Sequence, residues 1–165
     1  MRMQVNLVCG STGAGKSTFA RALADDRQAV RFSIDEWMSN LFWPDQAPGE
    51  DYRWAIERVE RCERQIWAAC CEILRCEREV ILDLGFTERK QRDRFRAWAE
   101  VIGAPTVTHF VTADIEVRRS RVRKRNEEEG ETFAFEVTDE MFNFMEGIFE
   151  LPTEAETNSL EIVQT

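Results

Sequence analysis

Lysine, histidine and tyrosine are scarce in this sequence, with three lysines, one histidine and one tyrosine among 165 residues. The single histidine, His109, alternates with Val107 and Val111 in a strand-like run, a setting for a satisfied core residue rather than a base. The five cysteines, Cys9, Cys62, Cys70, Cys71 and Cys76, form no C-x-x-C pair and are odd in number. That argues against a disulfide framework and a zinc site, and leaves reduced thiols in the core. No apolar run is long enough for a membrane span, and the N-terminus lacks the charged-then-apolar pattern of a signal peptide, so a cytoplasmic protein is expected. Positive charge is not in excess either: the formal net charge is −9, which argues against a protein that coats nucleic acid.

What is present is more specific. Gly10-Ser11-Thr12-Gly13-Ala14-Gly15-Lys16-Ser17 satisfies every position of the G-x-x-x-x-G-K-[ST] phosphate loop. A hydrophobic run, Val5 to Cys9, precedes it and a helix-compatible segment from Thr18 to Ala24 follows. The glycines let backbone N–H groups wrap phosphates, and the helix opening at Lys16 adds its positive dipole end. Lys16 would reach the β- and γ-phosphate oxygens, and Ser17 would hold Mg²⁺. Gly10, Ser11, Thr12, Gly13, Ala14, Gly15, Lys16, Ser17 and Thr18 are therefore the expected contacts of ATP.

At 165 residues the chain is expected to form one domain spanning residues 1–165. Strands are expected over 3–9, 29–34, 79–84, 106–112 and 160–164, the last at an edge. Residues 37–52, rich in aromatics with Pro44, Pro48 and Gly49, read as a loop. A long amphipathic helix is expected from Tyr52 to Cys76, with three of its cysteines facing the core. A further amphipathic helix begins at Thr138 and stops at Pro152. Alternating strands and helices point to a three-layer α/β fold, a parallel sheet of five strands between helices.

Phosphoryl transfer also needs charge neutralisation and a group that orients the nucleophile. Asp35, at the end of the second strand, could accept the proton of an acceptor hydroxyl; the competing reading makes it a helix N-cap. Asp83 ends Val-Ile-Leu-Asp on the third strand, where it could approach Mg²⁺ or fix a side chain that binds the acceptor. Two basic runs stand out, Arg89 to Arg96 and Arg118 to Arg125. The first reads mainly as a solvated helix face. In the second, Arg121 and Arg125 share one helical face, with Arg118 a turn earlier, and as a group they suit phosphate contact from a closing flap. Trp37, Phe42, Trp43, Tyr52 and Trp54 either line an acceptor pocket or close the core.

The phosphate loop, the Phe-Ser-Ile-Asp-Glu-Trp stretch ending at Trp37, Val-Ile-Leu-Asp ending at Asp83 and Arg121-x-x-x-Arg125-Asn126 together resemble a family of small P-loop kinases. These are the zeta-toxin-like and polynucleotide-kinase-like proteins, which include chloramphenicol phosphotransferase and gluconate kinase. The resemblance implies a P-loop NTPase fold of the nucleoside-monophosphate-kinase type, with an acceptor-binding region at about 36–54 and a helical lid at about 118–137. It implies that Lys16 and Ser17 bind ATP–Mg²⁺, that Asp35 is the base, and that Arg121 or Arg125 belongs to the lid. The expected activity is transfer of the γ-phosphate of ATP to a hydroxyl of a small-molecule or nucleotide-like acceptor. A regulatory ATPase without a dedicated acceptor and a nucleic-acid-end kinase are the alternatives.

Overall fold

The computed structural model describes residues 3–128, 136–153, 156 and 159–165. Its strands are β1 (Val5–Cys9), β2 (Val30–Ser33), β3 (Val80–Asp83), β4 (Thr106–Thr112) and β5 (Leu160–Gln164). All pairings are parallel, in the order β2-β3-β1-β4-β5. The expected five-stranded parallel sheet is present, with the last strand at one edge. β1 lies in the middle and is buried along its whole length, as its unbroken apolar run requires.

Alternate residues of the central strands face opposite layers. Leu7 and Leu82 point into a core with Ile66, Leu74 and Phe95, residues of α3 (Tyr52–Arg75) and α4 (Arg89–Val101). Val8, Ile81 and Val111 point the other way, against Ala20 and Ala24 of α1 (Lys16–Arg27). Along α3, Cys62, Ile66, Cys70 and Leu74 recur at four-residue spacing and are buried. Two of its three expected core cysteines thus lie inside; Cys71 is half-buried and Cys76, which ends the helix, is exposed. Burial pushes the Cys9 thiol up to about 11 and the Cys70 thiol up to about 12, so both stay protonated at neutral pH.

The stretch expected as loop from residue 37 is corrected at its start. Strand β2 ends at Ser33, and α2 (Ile34–Leu41) follows directly, with a short 3₁₀ turn over Trp43–Asp45. Ser33 is the N-cap of α2, its hydroxyl accepting from the Glu36 N–H. Asp35 is therefore in the first turn and is not the cap. Trp37, Phe42 and Trp43 pack against the larger core, and Trp43 stacks on the buried Trp54. These four rings close the core, whereas Tyr52 is exposed and meets Phe144 edge to face.

Helices α5 (Ile115–Glu128) and α6 (Asp139–Ile148) complete the described residues. Thr138 caps α6 through the Met141 N–H. His109 is buried, as expected, with Nε2 3.1 Å from Asn6 Oδ1. Its burial pushes the imidazole pKa down against the pull of Glu161, the behaviour of a neutral core ring. Among the described residues no helix is long and apolar enough to cross a membrane.

Candidate active site

In a sheet of this order β1 has β3 on one side and β4 on the other, and ligands gather at the carboxyl ends of such strands. The loop from Gly10 to Ser17 leaves β1 at that edge and runs into α1. Gly10 and Gly13 both have positive φ, and a Cβ on either would collide with a carbonyl oxygen, that of Val111 at Gly10 and that of Arg118 at Gly13. Only glycine fits those turns. Gly15 is the N-cap of α1 and offers no side chain to the first-turn N–H groups. Those donors therefore face the space above the loop, where an anion is favoured by hydrogen bonding and by the helix dipole. Lys16 folds back over the loop, Nζ donating to the Ser11 carbonyl at 3.0 Å.

Four charged groups converge there from four elements. Lys16 (α1), Asp35 (α2), Asp83 (β3) and Arg125 (α5) each feel at least one of the others electrostatically. Burial pushes the Lys16 pKa down, while Asp83 and then Asp35 oppose it. Asp35 is open to water on one side, yet the surrounding protein raises its pKa, Asp83 raises it further, and Lys16 and Arg125 counteract both. Asp83 is buried, and its Oδ2 accepts from Arg31 Nη1 at 3.0 Å. Arg31 also pairs with Glu36, which accepts from Arg21 at 3.2 Å. The first turn of α2 is thus fastened to β2, β3 and α1. The long-range partner of Asp83 carries no local sequence signal, whereas the cap of α2 does: Ser33-x-x-Glu36 is a capping-box spacing.

The second basic run divides by helical face. Arg121 Nη1 lies near Gly15 and donates to Thr165 Oγ1 at 2.8 Å, and that hydroxyl donates to the Ala14 carbonyl at 2.9 Å. Arg121 therefore borders the phosphate loop, and Arg125, one turn later on α5, lies within electrostatic reach of Lys16 and Asp35. Arg118, expected beside them, is instead buried between α5 and α6. Arg119 and Arg123 also turn to α6, pairing with Asp139 at 3.6 and 3.3 Å. Asn126 closes the base of the expected lid, donating to the Val137 carbonyl at 2.8 Å and accepting from the Val137 N–H at 3.2 Å. Residues 129–135 of that lid lie outside the described residues.

The first basic run corrects its expectation more sharply. Arg92 is completely buried, bonding both carboxylate oxygens of Glu156 at 2.8 and 3.0 Å and the Phe86 carbonyl at 2.9 Å. Arg96 reaches the same carboxylate at 3.2 Å, and Arg94 pairs with the buried Glu63. Arg92, Arg94 and Arg96 thus form a structural lock, while Arg89 and Lys90 of the same run stay exposed.

Fold and loop together define a P-loop nucleotide-binding protein with the architecture of the small kinases. The AAA domain model matches residues 5–152, and the chain belongs to that family. Among solved structures it is similar to a Chloroflexus aurantiacus j-10-fl protein provisionally described as a kinase, with 16% identity, a TM-score of 0.75, and coverage of 98% of this chain and 88% of that one. It is similar to Chaetomium thermophilum Kti12 in complex with ADP-AlF3, at 18% identity and a TM-score of 0.73 over 97% of this chain and 88% of that one. A gluconokinase from Sinorhizobium meliloti 1021 follows at 17% identity and a TM-score of 0.61, covering 99% and 84%. At such identities the likeness is one of fold. None of the curated proteins matches the sequence.

Proposed function

We propose that this chain is an ATP-dependent kinase whose single domain transfers the γ-phosphate to a hydroxyl of a small-molecule or nucleotide-like acceptor. The observation that carries this reading is that Lys16, Asp35, Asp83 and Arg125, from four elements, lie within electrostatic reach of one another beside a loop whose turns only glycine fits. The kinase fold of the gluconokinase relative agrees with it. ATP–Mg²⁺ supplies the transferable phosphoryl group and the metal charge that balances it. Gly10 to Thr18 would bind the phosphates through backbone N–H groups and Lys16 Nζ. Ser17 would hold Mg²⁺, with Asp83 contributing the oxygen that Arg31 leaves free. Asp35 would take the proton from the acceptor hydroxyl at its carboxylate, a role suited by a raised pKa. Arg121 and Arg125 would neutralise charge that develops in transfer and, with the rest of the lid, exclude water. The region 36–54 would receive part of the acceptor at its exposed face.

Lys16→Ala tests the nucleotide half of this reading. ATP–Mg²⁺ added at 100 times Kd should stabilise the wild-type protein by about 2.7 kcal/mol. In the variant that gain should vanish while circular dichroism stays unchanged. Undiminished stabilisation would remove the reading's premise.

A further inference from the structure

Arg118 and Glu146 take no part in the proposed chemistry, yet they are built into the wall of the phosphate loop. Arg118 donates from Nη1 and Nη2 to the two Glu146 carboxylate oxygens at 2.6 and 2.8 Å. Its Nη1 also reaches the Thr12 carbonyl at 3.2 Å, and its Nε the Ala113 carbonyl at 3.0 Å. Ser11 of the loop lines the same small cavity as Glu146. One bidentate ion pair thus joins α5, α6 and Thr12 of the loop, the geometry in which a guanidinium gives direction as well as charge.

The other contacts of α6 are mostly at the surface: Tyr52 meets Phe144 edge to face and Arg119 donates to Asn143 at 3.2 Å. Phe142 is its one buried residue, in a small cluster with Val122 and Val137. The Asp139 pairs are surface contacts of small worth. The Arg118–Glu146 pair also walls a cavity of about 270 Å³ between the loop, the end of β4 and the segment after α6, with Phe110, Phe149 and Leu151 on its other sides.

The geometry points to Arg118 and Glu146 as a positioning pair that couples nucleotide in the phosphate loop to the docking of α6. The inference rests on the reading that the loop binds nucleotide. Glu146 orients Arg118, and Arg118 fixes the Thr12 carbonyl, so the pair favours one loop shape. Nucleotide that favours the same shape strengthens the docking of α6. By linkage, docked α6 must strengthen nucleotide binding by the same factor.

Amide hydrogen exchange over 139–148, with and without ATP–Mg²⁺, tests the coupling in the wild type, Glu146→Gln and Glu146→Asp. In the wild type, nucleotide should slow exchange at the first turn of α1 and along α6. Glu146→Gln should keep the α1 effect, lose the α6 effect and bind ATP–Mg²⁺ about tenfold more weakly, within the usual range of coupling free energies. A merely structural helix contact would loosen α6 equally with and without nucleotide and leave affinity unchanged, and that result would overturn the proposal. If Glu146→Gln unfolds, Glu146→Asp carries the test. Its shorter carboxylate should weaken α6 protection and ATP affinity together, and intact affinity with an unprotected α6 would contradict the coupling. Wild-type protection at α1 without any at α6 would refute the coupling alone. Absence of protection at both sites would refute the nucleotide reading and the coupling with it.

Discussion

Helices α4 and α5 carry arginines in two similar runs, and the fold uses them in different ways. On α4, Arg92 and Arg96 are drawn inward by one carboxylate, Glu156, and Arg94 by another, Glu63. On α5, Arg119 and Arg123 hold α6 and Arg118 ties α6 to the phosphate loop, whereas Arg121 lies at the outer edge of that loop and Arg125 faces Asp35. The difference lies in the partners. A guanidinium with a buried carboxylate of its own is part of the scaffold. One that faces Asp35 and a cradle of N–H donors has charge left for a ligand.

Removing a scaffold arginine should have the largest effect. Arg92→Ala leaves the Glu156 carboxylate inside without its bidentate partner, and breaking such a buried pair costs about 3 kcal/mol or more. Urea unfolding should read that loss, while ATP–Mg²⁺ affinity of the folded fraction stays unchanged. Equal stability of variant and wild type would place Arg92 with the solvated arginines.

Arg125→Ala should show the reverse pattern. Its melting temperature should stay near that of the wild type, while turnover with a true acceptor falls by about 10²–10³-fold, as for loss of one donor to developing charge. Arg125→Lys should recover only part of this, since a lysine offers no planar fork. Arg121→Ala should lose less, because that side chain reaches the outer edge of the loop at Gly15 and is partly engaged by Thr165. Steady-state turnover beside ATP binding separates these cases. A variant that loses stability and keeps turnover would move its arginine into the scaffold class.

The smallest expected effect concerns pH. Although Asp35 is open to water on one side, the protein around it and Asp83 hold its pKa above the ordinary value. A raised carboxyl pKa contributes stability below the unfolded value, about 3.9, and that contribution is lost as pH rises through the folded value. Once ionised, above the folded value, Asp35 therefore weakens the fold. Asp35→Asn should melt a little above wild type at pH 7, and the difference should shrink toward pH 3. A variant less stable than wild type at pH 7 would show that Lys16 and Arg125 outweigh burial.

Much of the fold is legible in local pattern. The apolar runs of β1, β3 and β4, the four-residue repeat Cys62, Ile66, Cys70 and Leu74, and the loop glycines each declare their structure through period or backbone need. Helix α2 is misread because its aromatics and the nearby Pro44 resemble a loop, although Ser33 and Glu36 carry the spacing of a cap. The sequence pattern puts Arg121 and Arg125 on one face of α5, whereas Asp35 lies in the first turn of α2 and not at the strand end expected for it. Arg31 with Asp83, Arg92 with Glu156 and Arg118 with Glu146 are not legible, since each pair joins residues from 28 to 64 positions apart. In a run of similar arginines, only the fold decides which carboxylate each one meets.

The account rests most heavily on Asp35 as the group that deprotonates an acceptor. The direct measurement is acceptor phosphorylation by Asp35→Asn, normalised to its ATP–Mg²⁺ affinity, using an acceptor found by screening hydroxyl compounds with the wild-type protein. Because Ser33 caps α2 and the phosphate loop is untouched, fold and ATP binding should persist, while transfer falls by about 10²–10⁴-fold, the range for a positioned general base. Transfer at the wild-type rate, with ATP bound as tightly, would contradict the assignment.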